Sequence, residues 1–149
     1  MAVVQRLILV GPEDLFRALA LLSDEPGLLE ALPSLRQAVD EPMETLALGE
    51  ALGLWRQEGL RFRPTPEGRA WLEAPWRLPE GLAALLEVLP WEAALKAMGE
   101  GRLSLTALLS LFPEGPRGEK AARALAEWGA LFGLWEYDQT TEELRPCGS

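Results

Sequence analysis

Apolar residues along this chain recur with two periods, and the change from one to the other happens twice. Leu15, Phe16, Leu19 and Leu22 follow helical spacing behind Pro12, Glu13 and Asp14, residues suited to a helix start. Positions 28–32 and 35–39 read as two short helical pieces, because Pro33 lacks the N–H that would join them. Asp40 is the expected N-cap of the next helix, with Pro42 in its first turn. Met43, Leu46, Ala47 and Leu52 carry that helix to Gly53, a natural stop. There the period falls to two. Positions 55–57 and 60–63 alternate around Glu58-Gly59, the signal for a hairpin with a two-residue turn. Thr65-Pro66-Glu67-Gly68 then restarts a helix with Thr65 as its cap.

The second half repeats the plan. Leu82, Leu85, Leu86 and Leu89 continue a helix opened by Pro79-Glu80, and 91–98 forms another. Arg102-Leu103 reads as a short strand, Ser104 caps 105–112, and 119–131 is a longer helix. Strands at 134–137 and 143–145 flank a turn at 138–142. The phrase Ala51-Leu52-Gly53-Leu54-Trp55 recurs as Leu131-Phe132-Gly133-Leu134-Trp135, 80 positions on (51 to 131). Each copy ends a helix and opens a hairpin. The expected fold is therefore mainly α (α+β), with two tandem winged-helix domains, each a helix-turn-helix plus a β-hairpin wing. Domain 1 spans 1–78 and carries an N-terminal apolar segment at 3–10, read as a strand with a helix as the close competitor; domain 2 spans 79–149. No long Ser/Gly linker separates them, so the halves are expected to pack together.

Composition narrows the function. The 149 residues carry 23 acidic against 14 basic side chains, a net charge of −9. That balance disfavours general nucleic-acid binding, which depends on neutralising phosphates. The basic residues are nearly all arginine, a usage that fits a GC-rich genome such as a thermophile's. Histidine is absent and Cys147 is the sole cysteine, which excludes an internal disulfide and a Cys/His zinc site. No run reaches the roughly 18 apolar residues of a membrane span, and the apolar start lacks a signal peptide's basic head. A cytoplasmic protein is expected.

Two segments resemble a known family. Trp128-Gly129-Ala130-Leu131-Phe132-Gly133-Leu134-Trp135-Glu136-Tyr137-Asp138 resembles the signature of the AAA-associated C-terminal domain. That domain follows the ATPase domain in some nitrate/sulfonate/taurine-type ABC transporter ATP-binding proteins. Its signature runs Trp-Gly, a stretch with aromatics, then Glu-Tyr-Asp in the same register. Thr65-Pro66-Glu67-Gly68-Arg69-Ala70 resembles its internal Thr-x-Glu-Gly-Arg motif. Family members carry polar or basic residues after Trp-Gly, where this chain has Ala130-Leu131. The resemblance implies a fold and a regulatory or docking role. The ATPase has no counterpart in these residues, so a stand-alone version is expected and transport is not implied.

Catalytic chemistry finds no support. Gly115-Pro116-Arg117-Gly118-Glu119-Lys120 has a faint look of a phosphate loop, but Ala121 stands where Ser or Thr is needed. The carboxylate pairs Asp24-Glu25, Asp40-Glu41 and Glu142-Glu143 fall in turns or caps rather than in a cleft. No serine has a histidine partner. Neither a catalytic, a cofactor-binding nor a metal residue is expected.

Interaction residues are easier to nominate. Arg56, Arg61, Arg63, Arg69 and Arg77 make the first wing locally basic, although its preceding helix carries Glu41, Glu44 and Glu50 and no cation. Arg117, Lys120 and Arg123 lie on the equivalent helix of domain 2. Arg56, Arg61, Arg63, Arg69, Arg117, Lys120 and Arg123 are the candidate partner or DNA contacts. Trp55, Trp71, Trp76, Trp91 and Trp135 are the candidate junction or docking aromatics, since Trp and Arg anchor interfaces. The strand at 3–10 could pair with its copy in a homodimer. The expected function is a non-enzymatic regulatory or adaptor protein binding other proteins, an ABC-type ATPase being the candidate partner. The alternative is a winged-helix DNA-binding transcriptional regulator.

Overall fold

The computed structural model describes residues 8–85, 90–99 and 101–147. It is a mixed α/β chain of short helices and two small antiparallel sheets. Two compact units divide it: Glu13–Glu87, here unit N, and Met1–Pro12 with Val88–Ser149, here unit C. This division falls at other residues than the expected 1–78 and 79–149. Of the described residues, 79–85 go with unit N, and 8–12 go with unit C.

Unit N holds α1 (Pro12–Leu22), α2 (Leu28–Ala38), α3 (Pro42–Ala51), β1 (Trp55–Glu58), β2 (Arg61–Pro64), α4 (Pro66–Glu73) and a 3₁₀ turn, Glu80–Ala84. Leu15, Leu19 and Leu22 of α1 are fully buried with Leu35 and Leu54, the 3.6-residue stripe that drives the fold. Three expectations shift. The two pieces at 28–32 and 35–39 are one helix with Pro33 inside it. Pro33 is exposed, as is Leu29, whose carbonyl it leaves without an amide, so water can serve that carbonyl. The cap of α3 is Glu41 rather than Asp40. The hairpin turn is Gly59-Leu60, one residue later than expected, because Glu58 pairs with Arg61. Gly59 supplies the positive φ of 62° that the tight turn requires.

Unit C holds α5 (Trp91–Met98), β3 (Leu103–Ser104), α6 (Leu105–Leu109), α7 (Pro116–Leu131), β4 (Glu136–Asp138) and β5 (Glu143–Arg145), with sheet order β3-β5-β4. Ser104 caps α6 through Ala107 N, as expected, but the helix ends at Leu109. Helix α7 starts at Pro116 rather than at 119 and buries Ala121, Ala122, Ala124, Leu125, Ala126 and Trp128. The N-terminal segment is corrected in part: Ile8, Leu9 and Val10 are buried but lie in no strand. The Val10 carbonyl accepts the Trp128 indole N–H at 2.7 Å, inside the same unit. The rest of the segment, 1–7, lies outside the described residues.

The two units are built in the same register. Gly27 bridges Arg61 ahead of α2, as Ser104 pairs with Glu143 ahead of α6. Leu28 N donates to Leu60 O at 2.6 Å, and Leu105 N donates to Glu142 O at 2.7 Å. Helices α3 and α7 end alike. Gly53 and Gly133 take φ of 76° and 78°. Leu54 N reaches back to Gly49 O, and Leu134 N to Gly129 O, each at 2.9 Å. That is the Schellman closure, in which a left-handed glycine lets the chain leave the helix with its last carbonyls satisfied. The following tryptophan folds back under the helix. Trp55 Nε1 donates to Leu46 O at 3.2 Å, and Trp135 Nε1 to Ala126 O at 2.9 Å.

Candidate interaction surfaces

Three of the seven nominated cations, Arg56, Arg61 and Arg63, lie in the first hairpin. In β1–β2, Trp55, Phe62 and Pro64 face inward and are buried, so Arg56, Glu58, Arg61 and Arg63 face outward. In β4–β5, Leu144 faces inward opposite Tyr137, so Glu136, Asp138, Glu143 and Arg145 face outward. Matching the registers aligns Arg56 with Glu136, Glu58 with Asp138, Arg61 with Glu143 and Arg63 with Arg145.

One part of this outward face is the same in both units. Arg63 bonds diagonally to Glu58 at 3.4 Å, and Arg145 bonds diagonally to Asp138 at 2.6 Å. The other two positions are inverted. Arg56 and Arg61 in one hairpin are replaced by Glu136 and Glu143 in the other. Three arginines against one glutamate leave the first face at +2; three carboxylates against one arginine leave the second at −2.

A second layer of charge lies beside each hairpin. Glu25 sits in the turn before α2 with φ at 54°, which aims its carboxylate at the β1–β2 hairpin. It accepts from Arg63 Nε at 2.7 Å and lies 3.7 Å from Arg69, while its carbonyl accepts from Arg61 at 3.3 Å. Asp24, Glu25, Glu58, Arg61 and Arg63 together line a shallow polar depression. Arg63 and Arg69 are thus already committed to carboxylates. On α7, Arg123 binds Glu119 at 3.4 Å and Glu142 at 3.0 Å, tying the helix to the second hairpin. Burial opposes the Arg123 charge, but the bonds from Glu142 and Glu119 outweigh it and raise its pKa. Asp138 is held below the ordinary carboxylate range, first by the Thr140 N–H, then by Thr141 and the Arg145 charge. Arg117 and Lys120 stand near the start of α7.

The nominated tryptophans separate into two kinds. Trp55, Trp71, Trp91 and Trp135 are buried and serve packing, not docking. Trp71 meets Phe16 edge-on at 5.0 Å in unit N. Trp91 meets Phe132 and Trp135 at 5.8 and 5.9 Å in unit C. Only Trp76 of the five is exposed, at 79%. Leu29 and Leu60 are 85% and 73% exposed.

The outward side of α3 holds Met43, Ala47, Glu50 and Ala51 and no basic residue. The turn at Gly115 enters α7 beside Glu114 and Glu119, which would repel a phosphate. Among the described residues, no group of three or more side chains could hold a metal ion, and no helix is long and apolar enough to cross a membrane. Comparison with protein-family models, with curated proteins and with solved structures finds no match.

Proposed function

We propose that the chain is a non-enzymatic regulatory adaptor, made of two tandem winged-helix domains, that acts in the cytoplasm by binding other proteins and uses no cofactor. The observation that carries this reading is the outward side of α3. A DNA-reading helix brings cations to phosphate and hydrogen-bond donors to base edges. Met43, Ala47, Glu50 and Ala51 offer neither, while an exposed methionine among small residues suits a protein partner. The resemblance of Trp128–Asp138 and Thr65–Ala70 to the AAA-associated C-terminal domain makes an ABC-type ATPase the first partner to test.

A DNA-binding regulator is the second reading, favoured by the outward Arg56 and Arg61. Fluorescence anisotropy with labelled duplex DNA separates the two. The adaptor reading predicts no binding tighter than the non-specific range, about 10⁻⁴–10⁻⁶ M at physiological salt. Sub-micromolar binding that Arg61→Glu abolishes would overturn it. Titration with a purified ABC-type ATPase from the same genome, with and without Met43→Glu, then tests the named partner and the α3 surface together.

A further inference from the structure

We propose that copies of this chain associate with one another through their hairpins, the outward face of β1–β2 in one copy seated on the outward face of β4–β5 in the next. The inference stands on the hairpin register and does not need the adaptor reading.

The two hairpins share half of their outward charge pattern. The diagonal ion pair Arg63–Glu58 has its counterpart in Arg145–Asp138, and Arg63 is paired with Glu25 as well, so these four charges are satisfied within their own units. The remaining outward positions are where the units differ. Arg56 and Arg61 stand where unit C has Glu136 and Glu143. Arg56 and Glu136 are exposed, and neither makes an ion pair among the described residues. The Arg61 guanidinium donates to the Glu25 carbonyl, which orients it and leaves its charge uncancelled.

Like charges are placed opposite one another in both hairpins: Arg56 faces Arg63, and Asp138 faces Glu143. Within one hairpin such pairs are unfavourable. Laid face to face, the +2 and −2 faces relieve both. Leu60, 73% exposed at the tip of the first hairpin, supplies apolar area at the edge of the contact. Each copy offers one basic and one acidic hairpin, so it can engage two neighbours, or one neighbour twice. Exposed ion pairs are individually weak, so association is expected to be weak and to grow with protein concentration.

Sedimentation velocity over a concentration series at physiological salt tests this with four samples. The wild type should show a sedimentation coefficient that rises with concentration and falls back when salt is added. Arg56→Glu/Arg61→Glu, with two acidic faces, and Glu136→Arg/Glu143→Arg, with two basic faces, should each stay monomeric. An equimolar mixture of the two should associate, as should the variant carrying all four reversals. A monomeric wild type across the series would overturn the proposal. So would single-hairpin variants that associate as the wild type does, or a mixture that stays monomeric while both variants keep the wild-type circular dichroism. Reversals that lower the melting temperature of a concentration-independent monomer, restored by the fourfold variant, would place the contact within one chain and also overturn it.

Discussion

Gly49 leaves the space that the Trp55 indole fills. A Cβ at position 49 would overlap Cζ2 and Cη2 of that ring, and a Cβ at Gly129 would overlap the same atoms of Trp135. The ring lies under the helix it has just left and donates Nε1–H to a carbonyl nine residues back, Leu46 or Ala126. Trp55→Phe and Trp135→Phe keep an aromatic ring but lose that bond and part of the volume. Each should cost about 1–3 kcal/mol, read from urea unfolding of the variant against the wild type. A loss at one position and none at the other would show that the two copies are not mechanically alike.

Thr65 connects the first hairpin to α4. Its hydroxyl donates to Gly53 O at 2.6 Å and accepts from Gly68 N at 3.1 Å. Gly68 is part of the same arrangement, because a Cβ there would meet the Leu54 carbonyl. Thr65→Val keeps the shape and removes both bonds, so unit N should lose about 1–2 kcal/mol in chemical denaturation. Thr65→Ser should recover most of it.

Glu25 holds a left-handed backbone and a carboxylate that serves Arg63 and Arg69. Both Glu25→Ala and Glu25→Gly lose the exposed ion pairs, a small term. Only alanine keeps the backbone penalty at φ 54°. Glu25→Gly should therefore be the more stable of the two by about 0.5–1 kcal/mol, since glycine accepts that conformation freely. Thermal melts that rank alanine above glycine would contradict the turn geometry.

Asp138 should titrate below its ordinary 3.8 when its carboxyl carbon is followed by NMR. A depressed carboxylate binds fewer protons folded than unfolded, so its stabilisation is present above the ordinary carboxylate pKa and is lost as pH falls through the folded value. Arg145→Met should raise the midpoint only part of the way, because the Thr140 and Thr141 N–H groups remain. Full return to the ordinary value would show that the ion pair, not the turn, holds the carboxylate.

Short-range chemistry was legible in the sequence. Gly53 and Gly133 as helix stops, Thr65 and Ser104 as caps, and both hairpins follow from local rules of period and turn. Some shifts were local, such as Pro33 inside α2 and Glu41 as the cap of α3, while the larger ones came from long-range effects. Trp71 and Trp91 are interface residues by composition, yet Phe16 and Phe132, distant in sequence, enclose them. Ile8–Val10 has strand propensity, but its Val10 carbonyl is held by Trp128, 118 residues away. Gly49 and Gly129 lie inside helices, where glycine is unfavourable, and the folded-back ring accounts for both. The opposite charge of the two wings is legible in the sequence, but a constant offset aligns only half of it. Arg56 and Glu136 are 80 residues apart, while Arg61 and Glu143 are 82 apart, because the second turn has two more residues.

One helix-to-hairpin lock is used twice in this chain. The most direct measurement is the free energy of unfolding of Gly49→Ala and Gly129→Ala, each against the wild type. Alanine in an open helical site stabilises by about 0.5–1 kcal/mol. The lock predicts the opposite sign in both units, a loss of about 1–3 kcal/mol as the added methyl meets the indole. A gain in stability from either substitution would contradict it.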